Sequence, residues 1–242
     1  EMAGLDDVEL REAHFTLERL RAVKSPAELD LIREASERVV DAMLATFRNC
    51  VPGMTKNEVV ARLRHEEQAR DLVFEYCLIA AGNSHNRAPS NQRLAEGDVI
   101  SIDSGGNYRG YIGDLSRMGI LGEPDSELRE LLHEVEDIQQ AARRVIRPGA
   151  MGGDIIAAGE AMVKSSPNRA VLDFTAHGIG LVVHRDPVHR LDDPRHAEAS
   201  IHAHVHGGRA GMRFLPRQRD LQPPEPLAVG DDADLHLLGL ED

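Results

Sequence analysis

Aromatic residues are scarce in this chain: five Phe, three Tyr and no Trp among 242 residues. A core built on large rings is excluded, so Leu, Ile, Val and Ala must fill it. Cysteine is nearly absent as well. Cys50 and Cys77 lack CxxC spacing, which argues against a disulfide-stapled scaffold and for free, buried thiols in a reducing cytoplasm. No apolar run approaches transmembrane length, and no signal peptide is visible. Basic residues are outnumbered, 28 Lys and Arg against 41 Asp and Glu, for a net charge of −13. That balance disfavours nucleic acid and anionic membrane as partners. What remains, 41% hydrophobic residues, suffices for one large domain or two small ones.

The stretch with the most chemistry is Val99 to Met118, VISIDSGGNYRGYIGDLSRM. Val99, Ser101 and Asp103 alternate with Ile100 and Ile102, the pattern of a strand with one buried apolar face. Ser104-Gly105-Gly106 reads as a turn, because glycine takes positive φ without penalty. Tyr108 to Asp114 would return as the partner strand, bringing Asp103 and Asp114 together on one face. Two such carboxylates repel unless a cation lies between them or one is protonated. Three readings compete: a pair facing water, a dyad for acid–base work, and a divalent-metal site. Ile100 and Ile102 before Asp103, with Tyr111 and Ile112 before Asp114, favour burial. Buried acids need a cation, so the metal reading leads.

Around this hairpin the chain reads as helices and strands. Ser25-Pro26-Ala27-Glu28 is a capping box with proline at the first helical position, opening a helix to about Arg48. Thr55 to Glu58 is a second box, opening a helix towards Ala69. Val73 to Ala81 reads as a buried strand and residues 82–93 as a polar loop. Beyond the hairpin, a long helix from Pro124-Asp125 ends at Pro148-Gly149, another spans Asp154 to Met162, and Val171 to Phe174 is a short strand. This order indicates an α+β domain with helices packed on a sheet. An internal repeat supports it: Val51 to Ala61 resembles Arg147 to Ala157, a Pro-Gly break before a capped helix. Leu94 to Asp98 faintly echoes Leu227 to Asp231. Such halves imply a pseudo-twofold with the site at their interface. The opening Glu1-Met2 reads as a fragment or processed product, with 1–24 as a linker remnant of an absent N-terminal domain and 25–242 as the domain proper.

His177 stands among small residues in Ala176-His177-Gly178-Ile179-Gly180, where backbone can approach a ligand; His184 follows seven residues later. Either could be a hydrogen-bonded structural residue. Taken with Asp103 and Asp114, they form a mixed oxygen and nitrogen field suited to Mn, Co, Zn or Fe. SIDSGGNYRGYIGDLSRM together with AHGIGLVVHRDP resembles the creatinase, aminopeptidase P, prolidase and methionine aminopeptidase family, the pita-bread metallohydrolases. LRAVKSPAELDLIREA resembles the start of that family's C-terminal catalytic domain, and the likeness runs from about Leu20 to Pro187. It implies a pita-bread fold, a curved antiparallel sheet covered by helices. It also implies two divalent ions, with Asp103 chelating one, Asp114 bridging both and His177 binding the other. His184 would steady the substrate or the tetrahedral intermediate. Such ions lower the pKa of a bridging water and polarise the scissile carbonyl. The implied reaction is hydrolysis of an N-terminal peptide bond in Xaa-Pro substrates, by an aminopeptidase or dipeptidase acting as a homodimer.

The chain departs from the family after Pro187. Its two expected glutamates are not in register: Arg217 stands five residues after Met212, and the echo at Leu227 places His236 at a ligand position. Glu198 and Glu225 have no motif around them, Glu241 follows His236 too soon, and Arg185 replaces the glutamate after the second histidine. An upstream family histidine falls near Asn86, beside His85. Eight of the twelve histidines lie at or after His177, and His202, His204 and His206 alternate as if to share one strand face. A diverged or frame-shifted end accounts for this change of composition. With the glutamates missing, a single-ion site is the alternative, and two other functions stay open: a non-catalytic pita-bread module binding peptides or proteins, and a creatinase-like C–N hydrolase.

Overall fold

The computed structural model describes residues 13–84, 86–147, 150–181, 199–205, 212–214 and 235–237. Their elements are α1 (His14–Ala22), α2 (Pro26–Phe47), α3 (Lys56–Gln68), β1 (Val73–Ala81), β2 (Val99–Tyr108), β3 (Tyr111–Leu121), α4 (Ser126–Val145), α5 (Gly152–Ser165), β4 (Leu172–Gly178), β5 (Ala199–Val205), β6 (Met212–Phe214) and β7 (Leu235–Leu237). The expected order of helix, helix, strand, hairpin, helix, helix, strand is the one found. All strand pairings are antiparallel, in a sheet ordered β1-β2-β3-β7 and another ordered β4-β5-β6.

Both capping boxes form. The Ser25 hydroxyl accepts from the Glu28 N–H while the Glu28 carboxylate accepts from the Ser25 N–H at 2.7 Å, and Thr55 and Glu58 repeat the arrangement at α3. Asp154 likewise reaches back to the Met151 N–H at 3.0 Å to start α5. The repeated string therefore marks equivalent helix starts in the two halves. From Ser25, α2 runs with Ile32, Ala35, Val39, Ala42, Met43 and Phe47 buried at three- and four-residue spacing, a continuous apolar stripe. Its Val39, Ala42, Met43 and Phe47 pack with Val60 and Leu63 of α3 against Ile79, Ile100 and Ile102. Met118 and Ile120, on the other face of the same strands, pack with Val135, Ile138 and Leu172.

The hairpin forms, but not with the turn expected from Ser104-Gly105-Gly106. Those three residues continue β2, and the chain reverses at Arg109 and Gly110, both at positive φ (53° and 95°). This is a two-residue turn whose handedness matches strand twist, and Asn107 Oδ1 accepts from the Gly110 N–H at 2.8 Å. The glycines upstream serve close approach instead. Gly106 and Gly113 are register partners, and α2 lies across them. A Cβ on Gly113 would stand 2.7 Å from the backbone of Ala35 and Ser36, and one on Gly106 would stand 2.7 Å from Val39 Cγ2.

Behind β2, Glu67 is fully buried, with one carboxylate oxygen accepting from the Ser104 hydroxyl at 2.8 Å. Its other oxygen has no hydrogen-bond partner among the described residues. Burial pushes its pKa from 4.5 up to about 7. A raised carboxyl pKa leaves stability undiminished below pH 4.5 and erodes it as the pH climbs to 7, after which the loss is complete. Glu67→Gln is expected to flatten that slope in urea melts. The gain at pH 8 should be about 1–2 kcal/mol, part of the roughly 3 kcal/mol that such a shift represents.

Candidate active site

Register decides which side chains meet. Asp103 pairs with Ser116 and Gly105 with Asp114, so Asp103, Ser116 and Asp114 project from one face, diagonal neighbours on β2 and β3. Both carboxylates are buried at 3% exposure, as the apolar flanks predict. The face opposite carries Gly113 and is held by α2.

Tyr76 completes a row across three strands, Tyr76 on β1, Gly105 on β2 and Asp114 on β3. Its hydroxyl donates to Asp114 Oδ1. The ring can do this because Gly105 has no side chain: a Cβ there would fall 2.3 Å from Tyr76 Cε1. A β-bulge at Glu75 aims the ring, since Phe74 pairs with Gly106 while Tyr76 pairs with Gly105. Residues two apart, which a regular strand points the same way, here face opposite sides. Phe74 packs on the core with α3, and Tyr76 faces the carboxylates.

His177 arrives from the other sheet. It lies within β4, which extends past the expected end at Phe174, and its Nε2 stands 3.5 Å from Asp114 Oδ2. The Ile112 N–H of β3 donates to the Gly180 carbonyl at 2.9 Å, fastening the small-residue segment beside the hairpin. His177 Nδ1 lies 3.1 Å from the Gly178 carbonyl. A carbonyl can only accept, so that contact puts a proton on Nδ1 and leaves Nε2 facing the carboxylate. A bare lone pair aimed at a carboxylate is unfavourable. A cation between the two groups would relieve that repulsion.

Asp103 has a different cation. Arg87, from the loop after β1, donates to Asp103 Oδ2 at 2.6 Å. The residue expected near this point was a histidine at about position 86; Asn86 instead offers its backbone carbonyl to the buried Lys56 ammonium. Ser116 Oγ, buried on the same face, has no hydrogen-bond partner among the described residues. Among those residues, no group of three His, Cys, Asp or Glu side chains is placed to hold a metal ion. Asp103 and Asp114 thus share one face of the hairpin, with His177 reaching Asp114 from the other sheet, and the described residues alone do not supply the ligands of a pair of ions.

His184 lies outside the described residues, as do His85, Arg185, His206, Arg217 and the glutamates at 198, 225 and 241. His202 and His204 do fall on one strand, β5, in register with Thr175 and Asp173. His236, on β7, pairs with Ile120, six positions along β3 from Asp114. Tyr76 and Arg87 were not singled out from sequence. A bulge and a long-range loop contact leave no local pattern, although Glu75 and Tyr76 in an otherwise apolar strand were a visible irregularity.

An antiparallel hairpin backed by one helix pair, with a second helix pair leading into the strand that brings His177, is the arrangement of the pita-bread fold. Solved structures share it: dipeptidase PepE from Mycobacterium ulcerans superimposes with a TM-score of 0.75 at 27% identity, over 84% of this chain and 57% of that one. X-Pro aminopeptidase from Thermotoga maritima gives 0.75 at 24% identity, over 83% and 60%. Metallopeptidase family M24 matches residues 30–213, and the chain belongs to that family. A Mycobacterium tuberculosis protein described as "Probable dipeptidase PepE" is 33% identical over 179 residues, 71% of this chain and 47% of its relative. The Xaa-Pro dipeptidase of Pyrococcus furiosus is 25% identical over 190 residues, 74% and 53% respectively. The chain thus spans about half the length of these curated relatives.

Proposed function

We propose that this chain hydrolyses N-terminal peptide bonds in Xaa-Pro substrates, as a metal-dependent dipeptidase or aminopeptidase. The observation that carries the reading is the convergence of Asp114 and His177, 3.5 Å apart from two sheets, in a member of metallopeptidase family M24. In this proposal Asp114 and His177 are metal ligands, Asp103 can ligate an ion only by giving up Arg87, and His184 steadies the substrate. Tyr76 orients the Asp114 carboxylate, and the Gly178 carbonyl fixes the His177 tautomer. The names of the relatives, a dipeptidase and an Xaa-Pro dipeptidase, support the substrate class.

The proposal includes a cytoplasmic setting and a homodimer. The free, buried thiols of Cys50 and Cys77 support a reducing compartment; burial pushes the Cys50 pKa up to about 12, so it is no reactive thiolate. No helix among the described residues is long and apolar enough to cross a membrane. Sedimentation velocity tests the dimer. A non-catalytic, peptide-binding module is the second reading, favoured by the Arg87–Asp103 ion pair at a position where a ligand is expected.

Purified chain supplied with Mn²⁺ or Co²⁺ is expected to release free proline from Xaa-Pro dipeptides, and to leave creatine intact. Peptide binding without turnover selects the module, and turnover of creatine alone selects the C–N hydrolase.

A further inference from the structure

The cation on Asp103 belongs to the chain itself. Asp103 is 3% exposed, and it receives the Arg87 guanidinium at 2.6 Å. Asp114, diagonal to it, faces Tyr76 and His177 instead. The loop that presents Arg87 is fixed from several sides. The Arg87 carbonyl accepts from the Ile79 N–H at 2.8 Å, the preceding carbonyl accepts from the buried Lys56, and the Ala88 N–H donates to Asn86 Oδ1 at 2.9 Å. A guanidinium held this way is a permanent positive charge, since arginine does not lose its proton under ordinary conditions.

We propose that Arg87 is a built-in cation occupying one of the two divalent-ion positions, so that the chain takes up a single ion, at Asp114 and His177. The inference rests on the metal-dependent reading above. The charge that a second ion would bring to Asp103 is supplied by Arg87, and a divalent ion must displace that guanidinium to bind there.

Equilibrium dialysis against Mn²⁺, with metal counted per chain, tests it. Wild type is expected to retain one ion. Arg87→Ala, which vacates the carboxylate, is expected to retain two, with the electron-spin coupling of a Mn²⁺ pair. Arg87→Lys keeps the charge and should stay at one. Without metal, Arg87→Ala removes a positive charge from a buried carboxylate, so it should melt below wild type and recover with Mn²⁺. Should the alanine variant fail to fold, Arg87→Gln removes the charge while keeping donors on a similar stem, and the same count applies. Two ions in wild type, or equal counts in wild type and the charge-removing variants, overturn the inference and leave the metal-dependent reading standing. No ion bound by any of them overturns both.

Discussion

Asp114→Ala is expected to lower turnover of an Xaa-Pro dipeptide by at least about 100-fold, a loss of roughly 3 kcal/mol in transition-state stabilisation. The carboxylate is where the two sheets meet chemically: Tyr76 donates to one oxygen and His177 approaches the other. Alanine removes both relations and the proposed ligand together. Asp114→Asn separates charge from shape, since the amide keeps an oxygen for Tyr76 but carries no charge for His177 or a cation. If charge is the essential property, asparagine should be nearly as inactive as alanine while its melting temperature stays closer to wild type. Initial rates with Mn²⁺ and thermal melts of the three proteins decide this. Retention of wild-type turnover in Asp114→Ala would remove the proposed site.

Gly113→Ala is expected to destabilise the fold by more than about 3 kcal/mol, beyond the usual range for overpacked cores. Most added methyl groups meet flexible side chains that can move. Here the methyl would meet the carbonyl carbon and oxygen of Ala35 and the nitrogen of Ser36 at 2.7 Å, all backbone of α2. Relief requires α2 to lift from the hairpin, and its buried stripe from Ile32 to Phe47 would lift with it. Because Asp114 is the next residue on β3, activity should fall in step with stability. Urea denaturation measures the first effect. A midpoint within error of wild type would mean that helix and hairpin are not in the close contact described.

The elements with chemical punctuation were legible from sequence. Ser25 and Thr55, each followed by glutamate at the third helical position, start helices where expected, and β1 has the expected bounds. Alternation put Asp103 on the face opposite Ile100 and Ile102, as found, and the apolar flanks implied its burial, but the strand is buried on both faces where the pattern indicated one. The turn was misplaced because glycine carries two messages that a sequence does not separate. At Gly105 and Gly106 it permits close approach; at Gly110 it permits positive φ, preceded by an arginine that gives no hint of its own φ of 53°. The aspartates still meet, because the observed register sets Asp103 opposite Ser116 and Gly105 opposite Asp114. His177 was marked by its small-residue setting and by the family resemblance, while its acceptor, the Gly178 carbonyl, required the fold. Arg87 was not legible at all: sixteen residues and a loop separate it from Asp103.

The bulge gives β1 one residue more than its ladder needs, and this makes the strand unequally tolerant of length change. Loss of the Glu75 codon would leave Phe74 opposite Gly106 and Tyr76 opposite Gly105, joined now by a regular ladder. The chief casualty would be the surface contact from Asn107 to Glu75. Loss of any codon from Cys77 to Ala81 would shift that pair by one place and carry Tyr76 to the core side. Loss of Glu75 thus keeps both Phe74 on the core and the tyrosine that faces Asp114.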